Sequence, residues 1–378
     1  MAEPSRCERY SDILVVDLLG GFGDLLILLP AIHALARRSP GAALRVLTHE
    51  PGADLVRHDP DVTEVRTPRH GRPGAEREAV AETVAVRRPD LAITTTRYDG
   101  IPDLLTATGA RCVTNLWRRP PPDERVGDRY LRILHAEGLL GQGDLGLAPR
   151  VRLRPAEIAE GERTITALVP SAAQPPVVLV TDAGMPVKLW PRPYWHRLAT
   201  ILARRGHPVL GVAPVAGDQV AVLPKGTLRQ LAACFHAVAA RGGVVVGGDT
   251  GPVRLAAAAG ARTVGLFGPT WAGRYGISTG MSAGNGMSAG NGTGTGTGTV
   301  TGIDLQGMPH CPYRQPTSIT EQVCWWQAQC PLSPDGPGCM ADIQPDAVVS
   351  AITELVSSDE RQGYGERYGL RFSPTDPR

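Results

Sequence analysis

Apolar residues come in short unbroken runs along the first half of the chain, and most of the runs alternate with a stretch of helical spacing. Residues 12–18 are a β-branched run that leads into Gly20-Gly21-Phe22-Gly23-Asp24, and a helical pattern then occupies Leu25 to Arg38 until Ser39-Pro40-Gly41 ends it. Leu44–Thr48 reads as a second strand, Val62–Val65 as a short third, and Leu91–Thr94 as another, reached through a helix around Ala75–Arg88. Runs with no polar alternation belong to strands buried on both faces, so this order predicts a parallel sheet covered by helices. The series ends near Pro149–Pro155.

A second series begins at Val177–Val180 and continues through a helix over Tyr194–Arg205, a strand over Pro208–Val212 and a helix over Thr227–Ala240. A strand from Gly243 then enters Gly247-Gly248-Asp249-Thr250-Gly251-Pro252, followed by a helix to Ala259 and a strand over Thr263–Phe267. The fold class read from this is α/β, with two doubly wound domains: residues 1–165, residues 166–345, and a final helix and tail over 346–378, irregular beyond Ser358. From Gly280 the hexapeptide Gly-Met-Ser-Ala-Gly-Asn occurs twice in tandem and passes into Gly-Thr repeats. Residues 278–302 therefore read as a flexible insertion unable to bury a core.

Composition narrows the function classes. With 39 lysines and arginines against 37 acids the formal charge is +2, which leaves no basic excess for nucleic acid. All but two of those 39 bases are arginine. The exceptions, Lys188 and Lys225, mark places where a compact ammonium is kept in a chain that otherwise uses the planar guanidinium. No apolar run approaches the roughly 20 residues of a membrane span, and the first residues lack a signal-peptide core. The expectation is a cytoplasmic protein, monomeric or weakly dimeric, with peripheral membrane contact left open. Seven cysteines do not form a secreted disulfide framework. Cys311, Cys324, Cys330 and Cys339 are separated by 12, 5 and 8 residues with no C-x-x-C pair. They are read as free or paired thiols rather than a zinc site, and His310 as a loop residue.

Open α/β sheets bind ligands at the carboxyl ends of their strands, which singles out two turns. Gly21-Phe22-Gly23-Asp24 resembles a dinucleotide fingerprint only superficially, because Leu26 stands at the third glycine and Asp24 would face the phosphates. A carboxylate at a helix start stays ionised and suits proton abstraction from a hydroxyl; the other reading is an N-capping aspartate without chemistry. The second turn, Gly248-Asp249-Thr250-Gly251-Pro252, offers backbone N–H groups and a helix dipole to a diphosphate, or else carries Gly and Asp for turn geometry alone.

Taken together these motifs resemble glycosyltransferase family 9, the heptosyltransferase family, whose members have the GT-B architecture of two facing Rossmann-like domains. The resemblance rests on Gly23-Asp24 with Leu29-Pro30-Ala31, Lys188-Leu189-Trp190-Pro191, Leu223-Pro224-Lys225, Gly248–Pro252, and Leu266-Phe267-Gly268-Pro269-Thr270. It implies an inverting transferase that needs neither metal nor cofactor and moves a sugar, of heptose type, from a nucleotide diphosphate donor to a hydroxyl acceptor on a small molecule or a cell-envelope glycan. By resemblance Asp24 is the base, Gly21, Phe22 and Gly23 form the acceptor-side loop, and Lys188 offsets charge on the departing diphosphate. Gly248 to Pro252, Lys225 and Gly268 to Thr270 hold the donor. Arg254 stands where many relatives carry histidine and adds a fixed charge there. Asp218 is the acid nearest the expected ribose, and nothing matches the first-domain loops at Arg97, Tyr98, Asp99 and Trp117-Arg118-Arg119. The alternatives are a nicotinamide-dependent oxidoreductase using Gly21, Gly23 and Glu50, or a catalytically silent nucleotide-sugar binder.

Overall fold

The structure is a computed structural model that describes residues 10–69, 72–171, 173–214, 220–278 and 301–368. Most of the Gly-Met-Ser-Ala-Gly-Asn insertion and Asp218 lie outside the described residues. The chain divides into two compact units. The first comprises 1–153 with 226–229, and the second 154–225 with 230–378.

The first unit is built on five parallel strands: β1 (Asp12–Asp17), β2 (Ala43–Thr48), β3 (Glu64–Arg66), β4 (Leu91–Thr94) and β5 (Arg111–Val113), in the order β3-β2-β1-β4-β5. β1 is buried along its whole length, as its uninterrupted apolar run requires. Leu14, Val16 and Leu18 pack with Leu47, Ala92 and Ile101. The buried guanidinium of Arg45 is tied to Asp12 and to the carbonyls of Thr83 and Arg87, which satisfies its charge inside the sheet layer. The helix expected from Leu25 starts earlier and spans Phe22–Arg38, because Gly21 in extended conformation already caps it.

The second unit holds β6 (Val177–Val180), β7 (Val209–Gly211), β8 (Val220–Val222), β9 (Val244–Gly248), β10 (Arg262–Phe267) and β11 (Gly302–Gln306). They form a parallel sheet ordered β11-β10-β9-β6-β7-β8. Strands β5, β8 and β11 are edge strands of three to five residues; runs so short carry no period that a sequence reading can pick up. The final helix runs from Pro345 to Tyr368 rather than breaking into an irregular tail at Ser358. Its Val348, Val349, Ile352 and Leu355 are buried in the same core as Val177, Leu198 and Val244, so it completes the second unit.

Candidate functional site

In the first unit the carboxyl ends of β1 and β4 are laced together by three successive threonines. Thr94 donates its hydroxyl to the carbonyl of Val16 at 2.9 Å, Thr95 to the carboxylate of Asp17 at 2.6 Å, and Thr96 accepts the N–H of Leu18 at 2.9 Å. Tyr98 closes the set by donating its hydroxyl to the carbonyl of Leu18. The chain then turns through Gly20, whose φ of +138° suits glycine, into the helix Phe22–Arg38. Asp24 is the third residue of that helix, and its N–H donates to the carbonyl of Gly21 at 3.0 Å. It stands in the first turn, where the positive end of the helix dipole favours its charge, rather than at the cap. Asp17 is its electrostatic neighbour. Burial, reinforced by the charge of Asp24, raises the Asp17 carboxyl to about 7, against the lowering effect of the bonds from Thr95 and the Leu19 N–H. A buried carboxyl with a raised pKa thus lies at the end of β1 beside Asp24 in the first turn of the helix.

In the second unit β9 ends at Gly248 and the helix Gly251–Ala258 begins after two intervening residues, with Thr250 as its extended cap residue. The turn approaches its surroundings closely: a Cβ at Gly247 would meet Val253 Cγ2 at 2.6 Å and Val180 Cβ at 2.8 Å. Asp249 lies in this turn, 7% exposed, between two cations. Lys188 Nζ donates to its Oδ2 at 2.9 Å and to its carbonyl at 3.1 Å, and Arg254 pairs with its Oδ1. Burial would raise the Asp249 carboxyl, but the charges of Arg254 and Lys188 outweigh it and hold the group at about 2. One carboxylate against two cations leaves a net positive charge at a helix N-terminus, which suits a diphosphate. Arg254 also donates to the carbonyl of Tyr275 at 2.6 Å.

Lys188 is aimed by its own motif. The short 3-10 turn Pro186–Lys188 leads into Trp190, whose indole N–H donates to the carbonyl of Ile343 at 2.9 Å and whose ring meets Trp195 edge-on at 4.7 Å. The ammonium also lies 5.4 Å from the ring of Trp325. Beyond β10, Gly268 has its carbonyl held by Arg314 at 2.8 and 3.1 Å and by Gln306 at 3.1 Å. The hydroxyls of Thr250 and Thr270 are buried without a hydrogen-bond partner, capacity left over on both turns.

Residues 128–288 match the sequence model of glycosyltransferase family 9 (heptosyltransferase). The chain carries a glycosyltransferase family 9 domain. Among solved structures it is similar to a family 9 glycosyl transferase from Veillonella parvula DSM 2008, at 16% identity over 93% of this chain and 98% of that one, TM-score 0.69. It is also similar to ADP-heptose LPS heptosyltransferase II of E. coli, at 16% identity over 92% and 99%, TM-score 0.61. A third similar structure is E. coli heptosyltransferase WaaC with ADP, at 20% identity over 91% and 99%, TM-score 0.57. No curated protein sequence matches.

The two parallel sheets are those of the GT-B fold of these similar structures. The structure brings Lys188, Asp249 and Arg254 into one cluster, with Gly248, Thr250, Gly251 and Pro252 forming its turn. Lys225 is exposed and takes no part in that cluster. Glu50, the acid a nicotinamide site would need, is paired with Arg57. Arg97 lies 5.0 Å from the ring of Trp117, and Arg118 reaches Glu137 at 2.6 Å, so two of the first-unit loop residues with no family counterpart are held by partners. Asp17, Thr95 and Trp325 were not singled out by the sequence. The run Thr94-Thr95-Thr96 after a strand was the available signal for the first two, and nothing local points to Trp325.

Among the described residues His33, Asp59 and Asp61 are close enough for a metal ion, but Arg152 already bridges the two acids at 3.5 and 2.6 Å. Burial pushes the Cys339 thiol up to about 12 and raises that of Cys324, so neither is a nucleophile near neutral pH.

Proposed function

We propose that this protein is an inverting glycosyltransferase that moves a sugar of heptose type from a nucleotide diphosphate donor to a hydroxyl acceptor without a catalytic metal ion. The observation that carries the reading is the Lys188–Asp249–Arg254 cluster at the N-terminus of the helix Gly251–Ala258. Charge builds on the diphosphate as the glycosidic bond breaks, and a fixed cation beside a helix dipole stabilises it in place of a divalent ion. Asp249 does not itself contact the phosphates in this reading; it holds Lys188 and Arg254 in position. Two of the similar structures bear on the donor: one is an ADP-heptose LPS heptosyltransferase and another holds ADP.

Asp24 is the base. It takes the acceptor proton as the hydroxyl oxygen attacks the anomeric carbon from the face opposite the diphosphate, which inverts that centre. The family match begins at residue 128, so this assignment rests on the first-turn position of Asp24 and on its buried neighbour Asp17. The acceptor is a hydroxyl on a small molecule or a cell-envelope glycan.

Replacing Asp24 by Asn tests the base directly. Transfer should fall by roughly 10²–10⁴-fold while nucleotide affinity stays at the wild-type value; unchanged turnover removes Asp24 from the mechanism.

A further inference from the structure

Between β11 and the final helix, residues 307–344 carry regular structure only as one-turn helices at Ile319–Glu321 and Gly338–Ala341. Within this segment neighbouring side chains face opposite ways. Val323 and Trp326 are 64% and 65% exposed, whereas Trp325 is 6% exposed. The backbone fixes that difference: the N–H of Trp325 donates to the carbonyl of Gln322 at 3.0 Å, and the N–H of Ala328 to the carbonyl of Cys324 at 2.9 Å. The indole N–H of Trp326 donates to the carbonyl of Thr320 at 3.1 Å, which pins that ring on the outside. Ala328 takes a φ of +56°, a left-handed conformation unfavourable for alanine, at the end of this turn.

The ring turned inward is the one that lies 5.4 Å from the ammonium of Lys188. Two sides of that ammonium are already engaged by Asp249, through its carboxylate at 2.9 Å and its carbonyl at 3.1 Å. We propose that Trp325 is a positioning residue for Lys188, whose ring holds the ammonium in place for the donor diphosphate without neutralising it. A lysine on its flexible four-carbon stem needs such an anchor. A second carboxylate would anchor it too, but it would cancel the net positive charge that Lys188 and Arg254 keep against Asp249. The face of an indole attracts a cation through its quadrupole and carries no net charge. The ring also keeps water from one side of the ammonium, which strengthens its attraction to a phosphate oxygen. A compact ammonium fits between two oxygens and a ring, where a planar guanidinium does not. That accounts for a lysine at position 188 in a chain whose bases are otherwise almost all arginine.

Trp325 acts through Lys188 and has no contact with the reacting atoms. Its effect on the donor rests on the donor-site reading above; the contact between ring and ammonium does not.

The two parts are tested separately. Because the chain has only two lysines, Lys188 and Lys225, labelling lysine with ¹³C gives two sets of side-chain NMR signals, assigned with Lys225→Arg. The ring current of Trp325 should displace the Lys188 methylene protons upfield, and Trp325→Leu should return them to the position of the exposed Lys225. Signals that sit together in the wild type, or that Trp325→Leu does not move, overturn the proposal. Calorimetric titration with ADP, GDP, UDP and dTDP then reads the consequence. Affinity for the diphosphate that wild type binds most tightly should fall roughly 2- to 30-fold in Trp325→Leu and be largely kept in Trp325→Phe. In a Lys188→Ala background Trp325→Leu should have no further effect. Equal losses in the Phe and Leu variants that persist without Lys188 make Trp325 a packing residue and overturn its positioning role. If Trp325→Leu does not fold, fluorinated tryptophan at 325 keeps the shape and weakens the ring face; unchanged affinity there is equally fatal. Nucleotide binding that is absent, or indifferent to Lys188→Ala, removes the donor-site reading instead, and the lysine signals still decide the contact.

Discussion

Asp17 disappears into the apolar run of β1 when the sequence is read, and only its contact with Thr95 and its nearness to Asp24 give it a role. Its proton leaves near 3.8 in the unfolded chain and near 7 in the folded one. The stability it contributes is therefore complete below about pH 4 and is lost as pH rises through 7. Asp17→Asn removes that dependence, so the Tm of the variant minus that of wild type should grow between about pH 5 and about pH 8. A difference that stays flat or shrinks would contradict the assignment. Asp249 behaves in the opposite sense. Its carboxyl is held at about 2 by Arg254 and Lys188, and its stabilising effect persists above the unfolded value of 3.8 and fades as pH falls through 2. Asp249→Ala leaves two nearly buried cations without their counter-charge and should cost about 3 kcal/mol in denaturant unfolding, with loss of nucleotide binding. Lys188→Arg is the milder change. It keeps the charge but cannot reach both the carboxylate and the carbonyl of Asp249 as one ammonium does, so turnover should fall while the fold stays intact.

At the scale of elements, the strand–turn–helix units at β1 and β9 were legible because each couples an apolar run to a glycine-rich turn and a helix. Their exact limits were not. Gly21 caps the first helix in extended conformation without any side-chain bond, so nothing in the residue types shows that the helix begins at Phe22 and takes in Asp24. The edge strands β5, β8 and β11 were invisible for a different reason: they are held by the neighbouring strand and not by their own pattern. Gly247 carries a checkable consequence of close packing in β9. A methyl group there would collide with Val253 and Val180, so Gly247→Ala should destabilise the second unit by roughly 1–3 kcal/mol and loosen the turn that holds Asp249, read as a lower denaturation midpoint and weaker nucleotide binding. The late cysteines show the limit of spacing arguments. Without a C-x-x-C pair they read as free or paired thiols, and only the path of residues 307–344 brings them to one cavity.

For the molecule as a whole, two parallel sheets, a family 9 domain and a cation–carboxylate cluster at the donor turn assemble one account. In the function proposed above, the first unit supplies the base and the second binds the nucleotide sugar. No helix among the described residues is long and apolar enough to cross a membrane. If the diphosphate is neutralised by protein groups alone, adding or omitting Mg²⁺ or Mn²⁺ should leave transfer unchanged; activity that appears only with a divalent ion would contradict this. The most direct measurement is a calorimetric titration of wild type, Asp24→Asn and Lys188→Ala with ADP-, GDP-, UDP- and dTDP-sugars. The account predicts that one donor binds wild type and Asp24→Asn alike and binds Lys188→Ala at least about tenfold more weakly. Binding of no nucleotide sugar, or equal binding to Lys188→Ala, would contradict it.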